Sequence, residues 1–70
     1  MEVKCNTGRA VYLAICPDID ENEGGFYVEV YDDENYDHLT DYFCIHPEDL
    51  QDNPGMDEYQ LAEEYARNNY

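Results

Sequence analysis

The run FYVEVY at residues 26–31 alternates without a break. Phe26, Val28 and Val30 fall on one side of an extended chain, and Tyr27, Glu29 and Tyr31 on the other. Successive strand residues point to opposite faces, so this run specifies a half-buried β-strand. It also specifies the kind of sheet: one face covered, one face wet. The same period runs through RAVYLAIC at 9–16, where Val11, Leu13 and Ile15 share a side, and through HLTDYFCI at 38–45, where Leu39, Phe43 and Ile45 are expected inside. Asp41 interrupts that inner set, which predicts a bulge or an edge there. MEVKC supplies a first strand, NTG at 6–8 is a turn signal with Gly8 free to take positive φ, and Pro17 is expected to stop the second strand.

The period changes in the last third. HPEDL reads as a single helical turn, with Pro47 suited to the first helical position and Glu48 and Asp49 favoured near a helix N-terminus. QDNPG is a break. MDEYQLAEEYARNNY then reads as one amphipathic helix, with Asp57 and Gln60 spaced as a capping box and Arg67 near the end, where it suits the helix dipole. Leu61, Ala62 and Tyr65 are the expected buried stripe, with Glu58 at its margin and Glu63 and Glu64 outside. The expected fold is α+β: an antiparallel meander of three or four strands with one C-terminal α-helix packed on one face. Seventy residues make one small acidic domain, residues 1–70. A chain this short buries only about 60% of the surface its unfolded form exposes. The core candidates still suffice, with Met56, Leu50 and Val3 adding to the alternating sets.

Charge is the second constraint. Eighteen acids face three bases, Lys4, Arg9 and Arg67, for a formal net charge of −15. Such self-repulsion opposes compaction. A net charge of about 2 to 8 normally suffices to keep a small domain soluble. Three scattered bases cannot form the basic patch that nucleic acid or an anionic membrane requires. No apolar run reaches transmembrane length, and the first residues lack the apolar centre of a signal peptide, so a cytoplasmic chain is expected. Cys5, Cys16 and Cys44 are odd in number and without CxxC spacing, which favours reduced thiols.

Two metal patterns are partial. DIDENEGGFYVE at 18–29 places Asp18, Asp20, Asn22 and Glu29 at positions 1, 3, 5 and 12 of an EF-hand calcium loop. Position 6, however, is Glu23 where the sharp turn needs glycine, and the flanks read as strands. Cys44 and His46 share one face of a strand, and Cys5, Cys16 and His38 are the other candidate zinc ligands, but zinc sites usually show closely spaced ligand pairs. No nucleophile–base pair, phosphate loop or metal triad stands out, and no cofactor or catalytic role is expected.

Magnitude points elsewhere. A compact domain of this length has a radius of gyration of about 11 Å and a diameter of roughly 28 Å. Duplex DNA carries about 16 charges over that length. The strand displays Glu29 between Tyr27 and Tyr31, and tyrosine offers large contact area with few rotatable bonds. It also stacks on arginine.

The acid-rich stretches PDIDENEGG, VYDDENYDHLTDY and MDEYQLAEEY, in so small an α+β chain, resemble the DNA-mimic inhibitors of phages and mobile elements, which include acidic anti-CRISPR and anti-restriction proteins. The resemblance is one of size, charge and aromatic content. It implies a non-enzymatic inhibitor, acting in an infected bacterial host if phage-encoded. Such a protein occupies the basic DNA- or PAM-binding surface of a CRISPR effector or a restriction enzyme. The expected partner-binding residues are Asp18, Asp20, Glu21 and Glu23 in one turn, Glu29, Asp32, Asp33, Glu34 and Asp37 in and before the next, and the rings of Tyr27, Tyr31 and Tyr36. The two turns lie at opposite ends of FYVEVY, so the acids are expected to trace a line along it. A calcium-binding module and a solubility-driven acidic interaction domain are the alternatives.

Overall fold

The computed structural model describes residues 1–18 and 24–70. Four strands form one antiparallel sheet in sequence order: β1 (Glu2–Lys4), β2 (Ala10–Asp18), β3 (Gly25–Tyr31) and β4 (Leu39–Ile45). Two helices follow, α1 (Pro47–Asp52) and α2 (Glu58–Asn69). The α+β meander with a C-terminal helix is as the sequence predicts. The body measures 30 × 24 × 15 Å with a Cα radius of gyration of 11.9 Å.

Alternation decides the two faces. Val3, Val11, Leu13, Val28, Val30, Phe43 and Ile45 are buried beneath α2, with Ile15 and Phe26 packed against them. The helix meets this layer through Ala62 and Ala66, both fully buried. Side chains this small let a helix backbone approach a sheet closely. The expected stripe is therefore shifted: Ala66 replaces Tyr65 at its centre. Tyr65 is 46% exposed and lays its ring over Phe43, with centroids 4.3 Å apart. The Asp57–Gln60 capping box forms as expected, each side chain accepting from the other's backbone N–H at 2.8 and 3.0 Å.

Two details depart from the sequence reading, the place of Pro17 and that of Leu39. Pro17 does not end β2; it pairs with Phe26, and β2 continues to Asp18. β1 pairs only with Ala10 to Tyr12, so Pro17 lies where the outer edge of β2 has no β1 neighbour, and its missing N–H breaks no ladder there. The expected irregularity at Asp41 is a bulge on Thr40: Val30 pairs with Asp41 but Tyr31 pairs with Leu39. The extra residue reverses the alternation, so Leu39 sits opposite Tyr31 on the other face and is 52% exposed rather than internal. Asp41 stays on the helix side, where its carboxylate accepts from the Tyr70 hydroxyl at 2.6 Å and the Tyr42 N–H at 2.8 Å. The Cys5–Gly8 turn is as expected, with Gly8 at φ 89° and its N–H bonded to the Cys5 carbonyl.

Candidate functional site: the open sheet face

Among the described residues no helix covers the second face of the sheet. Register assigns its rows. Glu2, Tyr12, Tyr31 and Leu39 form one, Ala14, Glu29 and Tyr42 the next, and Cys16, Tyr27 and Cys44 the third. The strands β2, β3 and β4 carry no lysine, arginine or histidine. Lys4 stands on β1, at the far side of the sheet from β4.

The tyrosines form two groups. Tyr27 and Tyr42 stack, with centroids 5.3 Å apart and planes 25° apart. Tyr36 folds back edge-on against Tyr31 at 5.2 Å and Tyr12 at 6.2 Å. To do so its backbone takes φ 59°, a left-handed conformation rare for a residue other than glycine. Its hydroxyl accepts from the Met1 ammonium, which also donates to the Leu13 carbonyl. Glu29 stands between the groups.

Acids surround the rings. Burial, followed by the charges of Glu2 and Glu34, pushes the Tyr12 phenol up from its ordinary value, and Asp33 adds to the effect. Burial, then Glu29, does the same for Tyr27, with Asp18 contributing. Tyr31 is raised by burial, then by the charge of Glu29 and a hydrogen bond to it. The face is thus a tyrosine surface with a carboxylate at its centre and others at both ends, and the phenols of Tyr12, Tyr27 and Tyr31 stay protonated at neutral pH.

The sequence-predicted residues divide accordingly. Asp18, Tyr27, Glu29, Tyr31, Asp33, Glu34 and Tyr36 are gathered on or around this face. Asp32 is not: it pairs with Arg9 at 2.9 Å, so the 30–42 stretch is partly compensated from within the chain. Asp33 is spent on its own turn, accepting from the N–H groups of Asp37 and His38 at 3.0 and 3.1 Å. Burial raises its pKa, but these backbone donors outweigh it and hold the carboxyl below its ordinary range. Asp37 is exposed on that turn. Asp20, Glu21 and Glu23 lie outside the described residues. Sequence reasoning missed Tyr12, Tyr42 and Glu2. The signal was present, because Tyr12 alternates with Val11 and Leu13.

Sheet register places those candidate metal ligands that are described. Glu29 pairs with Ala14 while Asp18 pairs with Gly25, four residues further along β2. That places their Cα atoms about 13 Å apart at strand rise. Asn22 lies outside the described residues, as does Asp20. Cys5 is buried under α2, its thiol donating to the Ala66 carbonyl, whereas Cys16 and Cys44 lie on the open face. Those two flank Tyr27 from opposite strands, about 9.5 Å apart, too far for a disulfide. Among the described residues no group of three His, Cys, Asp or Glu side chains is placed to hold a metal. No described helix is long and apolar enough to cross a membrane.

Comparison with protein-family models, curated proteins and solved structures gives no match to this chain.

Proposed function

We propose that this protein is a non-enzymatic inhibitor that mimics DNA. It binds the basic DNA- or PAM-binding surface of a CRISPR effector complex or a restriction enzyme and keeps target DNA out. The observation that carries this reading is charge at scale. The chain bears −15 on a body 30 Å long, and a duplex of that length carries about 18 phosphate charges. The two arginines are already engaged within the chain, Arg9 with Asp32 and Arg67 with Glu63 at 3.7 Å. Exposed acids such as Glu34, Asp37 and Glu64 have partner lysines and arginines as their natural complement. The mechanism is stoichiometric: carboxylates take the places of phosphates, and no bond is made or broken.

The test is protection. Purified type I and type II CRISPR effectors and a set of restriction endonucleases are each mixed with the protein before cognate DNA is added. Loss of DNA binding or cleavage by at least one, titrating at a fixed molar ratio and reversed by excess DNA, is the expected result. Unaffected DNA binding throughout the set counts against the proposal.

A further inference from the structure

We infer that the open sheet face selects arginine over lysine in its partner, an inference that rests on the DNA-mimic reading and gives it a chemical specificity. Carboxylates alone treat the two cations much alike. The Tyr27–Tyr42 stack does not. Tyr42 is 58% exposed and lies against Tyr27 at 5.3 Å, which fixes its ring as a flat platform. Glu29 is the residue directly opposite Tyr42 on the neighbouring strand. Directly opposed residues have Cβ atoms about 5 Å apart. A guanidinium laid on the ring therefore has a carboxylate beside its edge. Its planar face stacks while its N–H groups donate to Glu29. An ionised carboxylate offers about four acceptor positions, so Glu29 can take more than one N–H of the guanidinium. An ammonium has no plane to stack and gives up its water less readily.

The occupant is thus a protein surface or segment rich in arginine. Charge complementarity supports it: β2, β3 and β4 contain no basic residue to repel it, and Lys4 stands at the opposite side of the sheet. A second copy of this chain, equally acidic, does not fit.

The experiment measures binding of fluorescein-labelled octa-arginine and octa-lysine by anisotropy, at two salt concentrations, to wild type, Tyr42→Ala, Tyr42→Phe and Glu29→Gln. Circular dichroism confirms that each variant is folded. Wild type is expected to prefer octa-arginine by about tenfold, on the scale of a partly desolvated cation–π contact. Tyr42→Phe keeps the preference, Tyr42→Ala loses most of it, and Glu29→Gln weakens both peptides. Amide shifts on adding octa-arginine should centre on residues 27–31 and 42–44. Equal affinity for the two peptides, an unchanged preference in Tyr42→Ala, or shifts confined to α2 would overturn the inference. Equal affinity with DNA displacement intact removes arginine selectivity alone. Arginine preference without displacement of DNA from any enzyme supports the selectivity and removes the DNA-mimic reading.

Discussion

Tyr70 donates its hydroxyl proton to the carboxylate of Asp41 at 2.6 Å, joining the end of α2 to the bulged strand β4. The bond lowers the Asp41 pKa, with the Tyr42 N–H adding to it, and burial followed by that same bond raises the phenol of Tyr70. Tyr70→Phe keeps the ring near Phe43 and Tyr65 but removes the donor. A loss of about 4–8 °C in melting temperature is expected, the scale of one net hydrogen bond in a domain of this size.

The pH dependence of that difference has a definite sign. Asp41 is lowered on folding, so its contribution is present above the ordinary carboxyl pKa of 3.8 and lost as pH falls through the lowered value. Tyr70 is raised above 10.0, so its contribution is present below that pH and lost as pH rises through the raised value. The gap between wild type and Tyr70→Phe should be flat from about pH 5 to 9 and close at both ends. Comparing the two proteins cancels the general relief of repulsion on acidification. A gap that widens in acid contradicts the assignment.

The helix–sheet contact depends on small side chains. Ala62→Leu inserts a large side chain where Ala62 has no exposed surface. Overpacking of this kind costs about 1–3 kcal/mol, measured as a lower urea midpoint. An unchanged midpoint would mean that α2 is not seated through Ala62.

Asp32 and Asp33 share a turn but should behave differently. Arg9→Gln frees the exposed Asp32 carboxylate, 55% accessible, and should change the melting temperature little. It should also strengthen inhibition a few-fold. Asp33→Ala removes the acceptor of two backbone N–H groups and should loosen the turn, seen as faster amide exchange at Asp37 and His38. Charge reversal of Asp32, Glu34 and Asp37 together, sparing Asp33, should abolish inhibition in a folded protein. If the folded triple variant still inhibits, the contact belongs to Glu58, Glu63 and Glu64 on α2.

Strand identity was legible because burial imposes period 2, and FYVEVY shows it cleanly. Pro17 misled because its effect depends on what lies beside it, and the three-residue length of β1 is a tertiary fact. Leu39 misled because one extra residue at Thr40 reverses every side chain beyond it, and Asp41 hinted at the irregularity without locating it. Acid clusters were legible as composition. Their division into displayed, paired and turn-building carboxylates was not, because Arg9 is 23 positions from Asp32 in sequence. The fold of Tyr36 over Tyr31 needs a left-handed backbone at a tyrosine, which DDENYD does not announce.

The most direct measurement is equilibrium competition. The affinity of a susceptible effector or restriction enzyme for fluorescent cognate duplex is measured at increasing protein concentration and at two salt concentrations. DNA mimicry predicts that the apparent Kd for DNA rises in proportion to inhibitor concentration, with no ternary complex, and that the inhibitor's own affinity falls steeply between the two salts. A ternary complex with DNA still bound, or an affinity insensitive to salt, would contradict it.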